Sequence, residues 1–363
     1  MPRAFPVATL DLEELAELRS TVRDVAAQAG YPERVRALEG STTGYDVELW
    51  RTLATEIGLA AVGLPEEAGG LGGLAEILAV AEELGASLAP VPFLASTVLS
   101  GQVLAGAGPV GQPFLERIVE GAVAAPALTD DRGVWSAQTS CRLDGGTVTG
   151  TVRFVPAAVG SDFLVVAARD DDGPQVAVVE ASDAFITALT PLDFSRPMGT
   201  VTFDAAPATA LTSGADGASA LSDGVDIALL ATAADQLGGS QHCFDLTLEY
   251  VKLRRQFNRE IGSFQAIKHR LADALMQVEM ARSGLDRLTW DEPQNLAADA
   301  AVAKAWGTTS YLALTAETIQ LHGGVGFTWE HDAHLYFRRA RYDAAFLGDA
   351  AFHRERVATL LDW

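Results

Sequence analysis

The chain is short of several things that would fix its class early. It has two cysteines, Cys141 and Cys243, in 363 residues. That is too few for a disulfide framework, and they lack metal-ligand spacing. No apolar run approaches the roughly 20 residues that a membrane helix needs. "MPRAFPVATLDLEEL" does not have the order of a secretory leader, so a cytoplasmic protein without membrane insertion is expected. Basic residues are scarce, 26 against 48 acidic ones, for a net charge of −22. Such a chain repels nucleic acid on average, and an anionic ligand would need local basic clusters. The serines have no histidine and acid arranged around them, so hydrolase chemistry has no support. His331 and His334 could bind a metal at their spacing of three, but without a third ligand a solvated pair is expected and no metal site is assigned.

What is present is a core-forming chain, 48% hydrophobic and 20% charged, without low-complexity tracts. Leu10, Leu15, Leu18, Val22 and Val25 mark an amphipathic helix over 10–29, ended by Gly30. A second helix is expected near 45–57, a loop at "LPEEAGGLGG" (64–73), and apolar helical segments over 74–122. The pattern then changes. "SCRLDGGTVTGTVRFV" alternates around Asp144-Gly145-Gly146, a hairpin signal, and "DFLVVAARD", "QVAVVEA" and "GTVTFDA" are short strand-like runs. After about residue 217 the helical period returns, with helices over 219–254, 264–290, 295–322 and 330–362. Helices, then strands, then helices is a segregated order, not βαβ alternation. The patches "GGLGG" and "GGVG" therefore are not dinucleotide-binding fingerprints, since neither follows a strand and opens a helix. Two basic clusters stand out: Lys252, Arg254, Arg255 and Arg259, and Arg338, Arg339 and Arg341. Each reads either as an anion site or as a solvated helix face.

Three stretches carry a resemblance. "RRQFNREIGSFQAIKHRLAD" resembles the R-x-x-F-G-x-x-I-x-x-F-Q-x-x-x-x-x-L-A-D signature of acyl-CoA dehydrogenases. "QLHGGVGF", followed by an R-[RD]-A element, resembles their second signature, Q-x-x-G-G-x-G-[FY]. "GLAAVGLPEEAGGLGG" resembles their N-terminal G-[LV]-x-G-[LV]-x-x-P-E-E-x-G-G. The three lie in family order, and the resemblance covers nearly the whole chain. It implies an α+β multidomain fold: an N-terminal helical domain (1–124), a middle β-barrel-like domain (125–216) and a C-terminal four-helix bundle (217–363). It also implies FAD, bound at a subunit boundary, and α,β-desaturation of an acyl-CoA thioester. In that reaction a carboxylate takes the α proton and the flavin takes the β hydride.

In this family each FAD is held from two sides. The matching residues for the set donated to a partner subunit are Arg254, Phe257, Gln265, Gln320, Gly323 and Gly324. The arginine suits a pyrophosphate, the phenylalanine the adenine region, and the glycines a close backbone approach. The flavin-side set is poorer. The usual T-E-P-x-x-G-S-D becomes "TDDRGVWS", which keeps Thr129 and an acid at Asp130. In "GTVRFVPAA" Phe154 keeps the aromatic place, but Pro156 replaces the threonine that bonds the flavin and offers neither hydroxyl nor N–H. The catalytic glutamate is missing: Leu347 takes its usual place, Ala228 the alternative one, and Leu229 replaces a substrate-contacting arginine. Asp349 and Asp226 stand nearby as weak candidates for a displaced base.

Three readings follow from the resemblance. One is a base-lacking subunit of a heteromeric (α2β2) enzyme of the actinobacterial steroid-catabolism type, paired with a base-bearing subunit. The second is a homo-oligomeric dehydrogenase with a displaced aspartate base. The third is a non-catalytic scaffold. An electron-transfer flavoprotein is the implied acceptor.

Overall fold

The structure is a computed structural model that describes residues 10–41, 44–130, 133–135, 139–290 and 295–363. The first helix, α1 (Leu12–Gln28), is opened by Asp11, whose carboxylate accepts from the N–H groups of Glu13 and Glu14 while Glu14 reaches back to the Asp11 N–H. α2 (Val47–Arg51) runs on into a π-helical turn, Thr52–Glu56. α3 (Leu74–Ala86) is apolar almost all round and lies at the centre of this region. A second π-helical stretch, Leu94–Ser100, leads into α4 (Gly101–Gly106), and α5 (Gln112–Val119) completes the N-terminal helices. Arg19 and Arg23 tie α1 to Glu82 and Glu83 of α3 at 2.6 and 2.8 Å.

The strands are β1 (Ala124–Ala127), β2 (Cys141–Asp144), β3 (Thr147–Pro156), β4 (Phe163–Arg169), β5 (Pro174–Glu180), β6 (Phe185–Ala188), β7 (Met198–Pro207) and β8 (Thr209–Ala210). They form one sheet in the order β6-β7-β3-β2-β4-β5-β8, with β1 also paired to β4. The β2–β3 hairpin turns at Gly145-Gly146, both at positive φ, as the Asp-Gly-Gly signal requires. β4 is buried along nearly its whole length, which is why it reads as an unbroken apolar run, whereas β3 alternates.

The C-terminal helices are α6 (Gly214–Leu253), α7 (Gln265–Trp290), α8 (Leu296–His322), α9 (Ala333–Ala345) and α10 (Ala350–Leu360). Between α6 and α7 lies a hairpin of β9 (Arg255–Gln256) and β10 (Arg259–Glu260). The 40-residue α6 crosses α3 at contact distance. A Cβ on Gly238 would sit 1.9 Å from the Glu82 carbonyl oxygen, and one on Gly85 would sit 2.1 Å from that of Asp235. The segment expected to be helical over 330–362 is broken at Leu347 and Gly348, both at positive φ, and restarts at Asp349. No helix among the described residues is long and apolar enough to cross a membrane.

Candidate functional site

The hairpin after α6 is built around an unfavourable backbone. Phe257 and Asn258 are its two central residues, at φ 54° and 61°, which is the geometry a tight two-residue turn demands. Asparagine tolerates this conformation and stands where the family pattern has glycine. Phenylalanine does not, at a cost of about 1–2 kcal/mol. Phe257 is also 88% exposed, with its ring set edge-on to Phe264. A bulky apolar side chain held in a strained turn and presented to solvent contributes little to this chain's own stability. Within the first basic cluster the charges divide. Arg255 pairs with Glu260 at 3.4 Å, and Arg259 stacks on Phe264 at 3.7 Å. The exposed Arg254 guanidinium has no carboxylate partner among the described residues.

Gln265 opens α7, exposed and bonded to His269 at 2.9 Å. Gln320 is exposed on the last turn of α8. Gly323 follows at φ 62°, ψ −140°, a conformation open to glycine alone, and a Cβ on Gly323 or Gly324 would meet open space. The donated set is thus exposed, positively charged at Arg254 and free of occluding side chains. It fits the pyrophosphate and adenosine half of FAD.

The flavin-side set does not fit. Thr129 is buried, and its hydroxyl donates to the Arg153 carbonyl at 3.1 Å. Asp130 accepts from the Val134 N–H at 2.9 Å. Asp131, Arg132 and residues 136–138 of the same stretch lie outside the described residues. Phe154 is half-buried at positive φ beside the guanidinium of Arg153. Pro156 is buried and, with Tyr45, Pro92, Arg196, Tyr342 and Phe346, lines a cavity of about 20 Å³. This is room for a water, whereas a cofactor ring needs several hundred Å³. The cavity lies between Pro156 and the residue preceding Leu347. Leu347 is itself buried and apolar.

Neither candidate carboxylate is aimed at that cavity. Asp349 is the exposed N-cap of α10, accepting from the Phe352 N–H at 2.8 Å. Asp226 is buried against Arg356 at 2.7 Å; burial outweighs that pairing and raises its pKa. Replacing Asp349 by alanine is therefore expected to cost about 1 kcal/mol of stability through the lost cap. It should not change turnover in any assembly. Thermal melts beside steady-state rates check this, and a large rate loss with no stability change would restore Asp349 as a base.

The second basic cluster divides: Arg341 is exposed and Arg338 half-buried, but Arg339 faces inward. Arg339 is fully buried. It bonds Asp193 at 2.5 Å, Asp235 at 3.0 Å and the Ser195 hydroxyl at 2.6 Å. Arg196, which lines the cavity, shares Asp235 at 2.5 Å. Beside them Lys304, also buried, donates to the carbonyls of Asp343 and Gly348 at 2.6 and 3.3 Å. Burial pushes the Asp343 carboxyl up and the Lys304 ammonium down, so the pair holds its charges weakly. Arg338 stacks on Phe194, and Arg341 lies over Phe337. Reading the sequence missed this network because its acids come from distant loops and helices. The letters gave no local signal, since positions 338, 339 and 341 fall within one helical turn and could all have faced solvent. His331 and His334 are half-buried with separate partners, the Ala333 N–H and the Trp329 carbonyl. No group of three metal-ligating side chains occurs among the described residues.

Comparison with known proteins agrees with this geometry. Residues 12–121 match the family described as acyl-CoA dehydrogenase, N-terminal domain, and residues 215–361 match its C-terminal domain. The chain is 36% identical to acyl-CoA dehydrogenase IpdE2 of Mycolicibacterium smegmatis over 93% of this chain and 95% of that one. Among solved structures, a variant of the Tcur3481-Tcur3483 steroid ACAD superposes with a TM-score of 0.87 at 33% identity, covering 96% of this chain and 98% of that one. The ChsE4-ChsE5 complex of Mycobacterium tuberculosis does so with 0.87 at 30% identity, covering 97% and 98%. The chain therefore belongs to the acyl-CoA dehydrogenase family, whose members are FAD-dependent flavoproteins.

Proposed function

We propose that this chain is the base-lacking subunit of a heteromeric acyl-CoA dehydrogenase. It supplies the pyrophosphate and adenosine half of an FAD site to a second, base-bearing polypeptide. The observation that carries this reading is the small cavity at Pro156. The flavin-side position has room for a water, while Phe257 and Arg254 are exposed and the Gly323-Gly324 backbone borders open space. Loss on one side with retention on the other is what a composite site would leave. In the assembled enzyme Arg254 would neutralise pyrophosphate oxygens. Phe257 would lie against the adenine, and Gln265 and Gln320 would offer amide donors and acceptors. FAD supplies the hydride-accepting chemistry when bound; the proton-abstracting carboxylate and the isoalloxazine surface would come from the partner.

The likeness to a steroid dehydrogenase and to a two-component complex supports an α2β2 assembly acting on a steroid-derived acyl-CoA. A separate electron-transfer flavoprotein would be the acceptor. The placements of Asp349 and Asp226 favour this over a homomeric enzyme with a displaced base.

The test is a flavin count. The chain is purified alone and co-expressed with a candidate base-bearing acyl-CoA dehydrogenase of the same organism, and visible flavin absorption is read per protein. The expected result is no flavin on the isolated chain and a single flavin for every two chains in the pair. Stoichiometric flavin on the isolated chain, with turnover, would overturn the reading.

A further inference from the structure

Two bare glycines cannot hold a loop in place, so something else must fix the Gly323-Gly324 backbone. The last turn of α8 anchors one end. At the other end the chain is tied by short bonds: the Thr328 N–H and hydroxyl both donate to the Val325 carbonyl at 3.0 Å, and the His331 N–H donates to the Thr328 carbonyl at 3.3 Å. These bonds keep the 325–331 segment compact but do not attach it to the body of the protein. Two ties meet at the Trp329 carbonyl: the His334 ring nitrogen of α9 lies 3.2 Å from it, and a second group reaches it from far away in sequence. Arg36, on the 3-10 turn Glu33–Leu38, donates through Nε to the Trp329 carbonyl at 2.6 Å and through Nη2 to the Asp332 carboxylate at 2.6 Å. Its side chain is only 16% exposed and that of Asp332 20%, so water screens the pair little. The 3-10 turn is itself seated in the core through Val35, which is 1% exposed. Trp329 stacks on His334 and edges Phe194, so the residue whose carbonyl Arg36 holds cannot swing freely.

We infer that Arg36 is a positioning residue for the donated half of the FAD site. It fixes the far end of the 323–332 loop to the N-terminal helical region, so that the glycine backbone meets the cofactor already in shape. The inference rests on the proposed role of that loop and adds to it a control point 287 residues away from Gly323 in sequence. The bidentate fork is essential to the geometry: one arginine spans a carbonyl and a carboxylate three residues apart, which a lysine point charge cannot do at once. Preorganisation of this kind appears as ligand affinity, because a loop left mobile must be ordered when the ligand binds.

The experiment is FAD titration into the deflavinated pair of co-expressed subunits, followed by flavin fluorescence, with the melting temperature and assembly size of each variant measured alongside. Arg36→Ala and, separately, Asp332→Asn are compared with the unaltered pair. The expected result is an FAD dissociation constant raised about tenfold for Arg36→Ala and less for Asp332→Asn, with the assembly intact. Arg36→Lys should recover only part of the affinity. An effect on melting with none on FAD affinity would make Arg36 merely structural and overturn the inference. Arg254→Ala separates the two levels. If it weakens FAD binding while Arg36→Ala and Asp332→Asn do not, the positioning role fails and the composite site stands. If none of the three weakens binding, the composite site fails and the positioning role with it. If Arg36→Ala does not fold, Asp332→Asn and Arg36→Lys decide.

Discussion

Replacing Arg339 by alanine is expected to destabilise the chain by on the order of 3–5 kcal/mol. A domain's whole stability is about 5–15 kcal/mol, so much of the expressed protein should be insoluble or melt at a far lower temperature. The reason lies in what remains after the guanidinium is gone. Asp193 and Asp235 are 2% exposed each, and both direct their oxygens at Arg339. Arg196 still reaches Asp235, but Asp193 is left with its own neighbour Ser195, whose hydroxyl lies at 2.6 Å and carries no charge. A buried carboxylate without its countercharge costs more than the pair ever contributed. Lysine at 339 should recover little, since its compact ammonium lacks the planar fork whose separate nitrogens reach Asp193, Asp235 and Ser195. Chemical denaturation of the purified chain measures the loss. A melting curve unchanged by Arg339→Ala would mean that the network is not a unit of stability. The consequence for function is local: Arg196 is held at the cavity wall by the same Asp235, so the network also keeps that cavity small.

Arg254→Ala is expected to strip flavin from the assembled pair. A charge-assisted bond to a phosphate is worth about 1.5–3 kcal/mol, so the FAD dissociation constant should rise by about ten- to a hundredfold. The guanidinium is exposed and takes part in no ion pair among the described residues, so its removal should leave melting of the isolated chain unchanged. That combination distinguishes a ligand contact from a packing residue. Flavin absorbance after desalting, compared with the unaltered pair, reads the effect directly. Retention of flavin at full occupancy would remove Arg254 from the site. Activity should fall with occupancy and return when FAD is added in excess, because Arg254 is not expected to act on the reacting atoms.

Much of this was legible from local pattern. The helix at 12–28, the Gly145-Gly146 hairpin and the long helices after residue 214 follow from spacing of apolar residues and from turn chemistry, which neighbours in sequence dictate. Motif residues Arg254, Phe257, Gln320, Gly323 and Gly324 could be named because each lies in a short stretch whose spacing is its signature. The absence of a glutamate at 347 and the proline at 156 were also plain from the letters.

What only the tertiary structure decided was where charges go and what space is left. "FRRARYD" reads as a basic surface, yet Arg339 is buried because its acids arrive from 146 and 104 residues away. Asp349 could have been a base or a cap, and the break after Phe346 made it a cap. Arg36 gave no sign in sequence of reaching Trp329, 293 residues on. The cavity beside Pro156 is set jointly by a strand, a π-helical stretch, a loop and a helix. Periodicity records which face of an element is apolar. It does not record which distant element meets that face, and burial, pairing and room for a ligand all depend on that meeting.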